Sequence, residues 1–211
     1  MHQKELLISI IDYGMGNIGS VSNAVKLLGY DIVIYKDKKD IKNSTHIILP
    51  GVGSFYDGMR NLKKMNLIDI LNEEVLDKKK PFLGLCLGMQ ILADDGEEGG
   101  YSAGLGWISG SVKKLQIDET ILKIPHVGWN DVFPKKNSIL FQNIQTPIFY
   151  FVHSYHFLVT DKNCISAECE YGTKFVAAVE KGNIFGLQFH TEKSQREGLK
   201  VLENFLSIKN E

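Results

Sequence analysis

The sequence has no surplus of charge of either sign. Its 24 lysines and arginines nearly balance 25 aspartates and glutamates, for a net charge of −1. A nucleic-acid binder would need a basic face, so that class is set aside. Cysteine is scarce. Cys86, Cys164 and Cys169 leave one over in any pairing, which excludes a disulfide framework and points to a reducing cytoplasm. Long apolar runs are missing too. Met1 to Glu5 leads straight into the short run Leu6 to Ile11, neither a signal peptide nor a membrane span. No repeat, low-complexity linker or shift in composition marks a domain boundary. The whole chain, 1–211, is therefore expected to be one domain with a sizeable core. No Cys/His pair has the spacing of a structural zinc site, and neither a metal nor a cofactor is expected.

What is present centres on Lys80-Pro-Phe-Leu-Gly84-Leu-Cys86-Leu-Gly88-Met-Gln90. A basic run and a proline give way to a short apolar run, which reads as a buried strand. The Gly-x-Cys-x-Gly that follows is the pattern of a nucleophile elbow with cysteine as the nucleophile. Glycines fit on either side of a turn too tight for side chains. A lone cysteine is more often a buried core residue, but this context favours a nucleophile. At the start of a helix, free N–H groups and the dipole would favour its thiolate. The N–H of Leu87 can face a developing oxyanion.

The rest of the first half reads as alternating strands and helices. Leu6 to Ile11, Ile32 to Tyr35 and His46 to Pro50 are strands. Asn17 to Leu28 is a helix stopped at Gly29, and Asp57 to Leu76 is helical in two pieces. Gly14-x-Gly16-x-x-Gly19 between the first strand and helix, with Asp37 after the second strand, matches a dinucleotide-binding pattern. By itself it would make a nucleotide-binding oxidoreductase a candidate; a short strand–helix turn needs glycines whatever it binds. Gly51-Val52-Gly53, a backbone-rich loop after the third strand, is a candidate second oxyanion element. Asp94 to Gly100 is an acidic surface loop.

Beyond it the chain turns to β character. Ile124 to Asn130 reads as a loop carrying Trp129, a partner surface or a packed Trp with equal odds. Ile148 to Val152, Ile165 to Glu170, Phe175 to Glu180 and Ile184 to Phe189 read as strands. Ser194 is expected to cap a final helix, Gln195 to Ile208. This order predicts an α/β fold with a mostly parallel sheet extended by antiparallel strands.

Cys86 needs a base. His190 ends a strand, at the sheet edge where Cys86 must also lie. Glu192 lies two residues on, and i and i+2 share a face in extended backbone. Cys86, His190 and Glu192 thus form a nucleophile, a base and an orienting carboxylate. His153 and His156 are rival bases; His2 and His46 are not. Acyl transfer through a thioester is the chemistry these residues support.

Together, Gly84-Leu-Cys86-Leu-Gly88-Met-Gln90, Gly186-Leu-Gln-Phe-His190-Thr-Glu192-Lys-Ser194 and Pro50-Gly-Val-Gly53 resemble the class I, or triad, glutamine amidotransferases. More narrowly, Ile124-Pro-His126-Val-Gly-Trp129-Asn130 and Tyr150-Phe-Val-His153-Ser-Tyr155 are similar to the glutaminase subunits of imidazole glycerol phosphate synthases. The similarity runs from about Leu6 to Leu206.

The resemblance implies a three-layer fold with flanking helices, and no dinucleotide. It implies that Cys86 attacks the side-chain amide of L-glutamine, His190 moves the proton, and Glu192 orients His190. Leu87 and the segment Gly51, Val52, Gly53 would supply oxyanion donors, the segment flipping before its own donor points inward. Gln90, Glu98, Ser154 and Tyr155 would hold the backbone ends of glutamine. Asn17, His126, Trp129 and Asn130 would face a separate (β/α)8-barrel cyclase subunit in a heterodimer. Ammonia would pass through that barrel to a phosphorylated ribosyl ribonucleotide, PRFAR, giving imidazole glycerol phosphate and AICAR.

Two positions depart from the family. Thr191 replaces the usual proline between the triad His and Glu, and a proline would stiffen that turn. Ala93-Asp94-Asp95 is unusually polar. Both also fit a paralogous subunit that supplies ammonia for sugar modification in surface-glycan synthesis. A cysteine hydrolase acting alone is a further reading.

Overall fold

The computed structural model describes residues 6–209. Met1 to Glu5, His2 among them, lie outside the described residues. The parallel half of the main sheet comprises β1 (Leu7–Ile10), β2 (Asp31–Ile34), β3 (His46–Gly51), β4 (Phe82–Cys86) and, late in the chain, β13 (Ile184–Leu187). Between β4 and β13 come β5 (Asp95–Gly96), β6 (Ser102–Ala103), β7 (Gly110–Lys114) and β8 (His126–Pro134). They are followed by β9 (Ile148–His153), β10 (Tyr155–Val159), β11 (Ile165–Tyr171) and β12 (Thr173–Lys181). The 9-stranded sheet runs β2-β1-β3-β4-β13-β12-β11-β8-β9. It is parallel from β2 to β13 and antiparallel from there to β9.

Helices cover both faces because the central strands are apolar on both sides. Ile47, Leu49 and Phe82 pack with Phe55, Met59 and Leu62 of α3 (Phe55–Lys64). Their neighbours Ile48, Leu83 and Leu85 point the other way. There they meet Val21 and Val25 of α1 (Ile18–Leu27) and Val201, Leu202 and Phe205 of a C-terminal helix, Gln195–Leu206. This is the expected three-layer α/β arrangement. Between α1 and α3 lies α2 (Lys38–Asn43). After α3, α4 (Leu67–Leu71) continues into a wide-turn segment, Asn72–Asp77.

Three local readings are corrected. Ile124 to Asn130 is mostly strand, not loop, because β8 inverts the usual alternation. Val127, Trp129 and Phe133 face outward while His126 is fully buried. Polar residues inside and apolar ones outside hide a strand from a period-2 search. A second, 4-stranded sheet, β10-β7-β5-β6, was not anticipated. The elbow helix α5 is a single turn, Leu87–Gln90, so its macrodipole is small and any thiolate support there is local.

Candidate active site

The sheet register assembles the site. Gly51 at the end of β3 pairs with Cys86 at the end of β4. Leu187 pairs with Leu85 across β13 and β4, so Gln188 stands one step on, beside Cys86. The chain then turns sharply at Cys86, whose backbone sits at φ 54° and ψ −106°. The flanking glycines are required by contact. A Cβ at Gly88 would lie 1.9 Å from the Leu49 carbonyl oxygen, and one at Gly84 would lie 2.4 Å from that of Gly88. One at Gly51 would lie 2.4 Å from the Tyr13 hydroxyl. That hydroxyl is itself buried without a hydrogen-bond partner.

His190 and Glu192 follow β13, both buried. Nδ1 of His190 meets Glu192 Oε1 at 2.9 Å. Its Nε2 is buried and makes no hydrogen bond of good geometry, yet the Cys86 sulfur is near enough to favour the charged ring. Burial lowers the affinity of His190 for a proton; Cys86 and Glu192 raise it by more, so its pKa stands above the ordinary histidine value. Burial disfavours the charged form of both rival bases. His153 spends Nδ1 on the Tyr155 carbonyl at 2.8 Å and Nε2 on His126 at 3.1 Å, and burial pushes it down to about 3. His156 is lowered by burial as well.

Thr191 opens a short 3₁₀ turn, Thr191–Lys193, that carries Glu192. Ser194 holds the N-cap position of the C-terminal helix, as the sequence suggested, but its side chain makes no capping hydrogen bond. Its hydroxyl instead donates to the His190 carbonyl at 2.6 Å and accepts from the Tyr150 amide at 3.0 Å. His190 N–H donates to the Tyr150 carbonyl at 2.9 Å. The triad turn is thus strapped to β9. Gly198 lets the turn pack closely, since a Cβ there would fall 2.1 Å from the Thr191 carbonyl oxygen.

A cavity of about 370 Å³ opens over Cys86. Val52, Gly53, Leu87, Gln90, Glu98, Ser154 and Tyr155 line it, so these candidate binding and oxyanion residues converge with the nucleophile. Leu87 begins a helical turn, where the first N–H groups have no partner within the helix. The Val52 N–H, in contrast, is turned away: it donates to the Met15 carbonyl at 2.6 Å. Gln90 Nε2 donates to the Tyr155 carbonyl and to Gln188 Oε1, each at 3.0 Å. Burial raises Glu98 to about 7, against a backbone hydrogen bond from Phe55 that lowers it.

A family model described as glutamine amidotransferase class-I matches residues 9–208. The chain belongs to the class I glutamine amidotransferases. It is 48% identical over 201 residues to "Imidazole glycerol phosphate synthase subunit HisH 2" of Methanococcus maripaludis, covering 95% of this chain and 98% of that one. It is 45% identical over 206 residues to "Imidazole glycerol phosphate synthase subunit HisH" of Pelagibacter ubique, covering 95% and 99%. The solved structure of PurLQS from Thermotoga maritima shares the fold at a TM-score of 0.72 and 20% identity, over 96% of this chain and 98% of that one. A glutamine amidotransferase structure from the same organism matches at 0.65 and 19%, over 95% and 82%.

In this amidotransferase the Gly14 to Gly19 turn has work other than holding a nucleotide. Met15 receives the Val52 N–H, and a Cβ on Gly16 would lie 3.2 Å from the Pro50 carbonyl oxygen. Asp37, the would-be ribose ligand, caps α2 by accepting from Lys39 N at 2.7 Å. The residues expected to face a partner divide. Trp129 is exposed and meets the Tyr150 ring at 5.9 Å, edge to face. Lys193 Nζ lies 5.6 Å from the centre of that Tyr150 ring. Asn17 lines a small gap with Gly51, Val52, His190 and Glu192. His126 is a correction: it is fully buried, stacked on Tyr171 and bonded to His153 and Asn130. Its polar ring closes an internal chain and meets no outside surface. Asn130 likewise spends its amide on His126 and the Glu170 carbonyl. Gln188 and the strapping role of Ser194 were missed. Strand register gives the first; nothing in sequence spacing gives the second.

Proposed function

We propose that this chain, as a single domain, is the glutaminase subunit of an imidazole glycerol phosphate synthase, working in the cytoplasm as a heterodimer with a (β/α)8-barrel cyclase subunit. The observation that carries the reading is that Cys86 and Glu98 line one cavity while the buried His190–Glu192 pair stands against Cys86. The 43–48% identity of full-length relatives named as that synthase's HisH subunit supports the pathway.

The chemistry follows from the groups in place. The Cys86 sulfur adds to the side-chain amide carbon of glutamine, and the oxygen charge falls to the Leu87 N–H and a second backbone donor. His190 gives its proton to the amide nitrogen, which leaves as ammonia, and a thioester remains. His190 then takes a proton from water, which attacks the thioester and releases glutamate. Glu192 holds the ring for both transfers. Ionised Glu98 meets the substrate ammonium, and Gln90, Ser154 and Tyr155 hold the other end. While Val52 N–H is bonded to Met15, the second oxyanion donor is withheld. An acceptor-loaded partner seated on the Asn17 and Trp129 surface would release it, so that ammonia forms only when it can be used.

Glutamate release is to be measured for the chain alone, with the cyclase subunit from the same organism, and with that subunit plus its ribonucleotide substrate. Strong stimulation in the last state alone is expected, and Cys86→Ala should abolish it in folded protein. No stimulation in protein whose Cys86 still reacts with a glutamine-mimicking alkylator would defeat the histidine-pathway assignment. The sugar-modifying role would then take its place.

A further inference from the structure

Gln188 stands between the nucleophile and Gln90, behind the cavity wall, yet neither the triad nor the oxyanion donors use it. Its side chain is fully buried. Nε2 lies 3.6 Å from the Cys86 sulfur, and Oε1 lies 3.0 Å from Gln90 Nε2. The direction of this amide is fixed by a backbone group. The Tyr155 carbonyl can only accept, so the end of Gln90 facing it at 3.0 Å must be the amide nitrogen. That same nitrogen faces Gln188, whose near atom must then be its oxygen. The remaining end of Gln188, an NH2 donor, is left pointing at sulfur.

A thiolate in so buried a site needs donors, because an unpaired buried charge is costly. His190 supplies one, mobile during the reaction. We propose that Gln188 is the fixed one: a direct hydrogen-bond donor to the Cys86 sulfur, aimed by Gln90 and Tyr155. The bond strengthens while sulfur is charged and weakens once it is acylated. It therefore holds Cys86 ready before attack and favours sulfur as the leaving group when water opens the thioester. The strand register that pairs Leu187 with Leu85 makes this contact a property of the sheet, not of a loop.

The inference rests on Cys86 being the nucleophile. Its test is the pH dependence of Cys86 alkylation by iodoacetamide in the free full-length chain, read by mass spectrometry of the Cys86 peptide. Gln188→Met keeps the length and removes the donor. It should move the midpoint of reactivity upward by about one pH unit, the size of one hydrogen bond to a charged group. Gln188→Glu, closer in shape and usable if the methionine variant fails to fold, should move it further, because a carboxylate would face the thiolate. A wild-type midpoint in either folded variant overturns the proposal. Absence of pH-dependent alkylation at Cys86 in the wild-type chain would overturn the nucleophile assignment, and this proposal with it.

Discussion

Cys86 occupies backbone space that costs a non-glycine residue on the order of 1–3 kcal/mol, at φ 54° and ψ −106°. Burial of Leu85, Leu87 and Met89 on both sides of the sheet offsets that cost. A second residue with an unfavourable environment is Glu98, raised to about 7 by burial. Its sign decides a pH effect. The neutral acid predominates below pH 7 and cannot pair with a substrate ammonium; the carboxylate predominates above. The KM for glutamine is therefore expected to rise by up to about tenfold per unit as pH falls below 7, with kcat changing less. Glu98→Gln should give a KM that is high throughout and nearly independent of pH from 6 to 8. Steady-state kinetics with the partner-stimulated enzyme would show it, and a pH-dependent KM in that variant would remove Glu98 from the substrate site.

The short turn after β13 raises the question posed by Thr191. A proline there would fix φ; here the turn is fixed from outside by the Ser194 hydroxyl, which ties the His190 carbonyl to the Tyr150 amide. Thr191→Pro is accordingly expected to change stimulated glutamine turnover by less than about twofold, since the first position of a helical turn accepts proline without loss. Ser194→Ala should lower turnover by about tenfold through misplaced His190. It should also lower stability by about 1–3 kcal/mol, because it leaves buried backbone groups unpaired. Denaturant melts and turnover together check both variants. Elements of this kind mark the limit of what the sequence disclosed. The parallel half was readable because β1, β3 and β4 are short apolar runs that end in glycine turns. The candidate triad could be named because His190 and Glu192 sit at the end of such a run, and the structure brings the two side chains together. β8 was not, because its inward positions carry His126 and Asn130 and its outward ones Val127 and Trp129. Their pattern answers to an internal hydrogen-bond chain and an outer surface, and neither has a period. Ser194 was read by its local role as a cap, whereas its partner lies on β9, far away in sequence.

Across the whole molecule, that inverted strand places an exposed aromatic surface next to the chemistry. Trp129 on β8 contacts Tyr150 on β9, Lys193 lies against the same Tyr150, and Lys193 directly follows Glu192. Asn17, at the start of α1, shares a small gap with Val52 and His190, and Met15 two residues earlier holds Val52 N–H in its outward position. A subunit seated on Trp129 and Asn17 would thus touch both the triad turn and the latch on the oxyanion segment, without entering the glutamine cavity. Exposed tryptophans of this kind are the residues on which association energy concentrates, on the order of 2 kcal/mol or more each. Trp129→Ala is therefore expected to weaken binding of the cyclase subunit by about 30-fold or more, measured by titration calorimetry. Because Trp129 does not line the cavity, alkylation of Cys86 in the free chain should keep its wild-type rate. Wild-type affinity in this variant would place the partner elsewhere on the molecule. The Met15–Val52 hydrogen bond would then have to be released from some other surface.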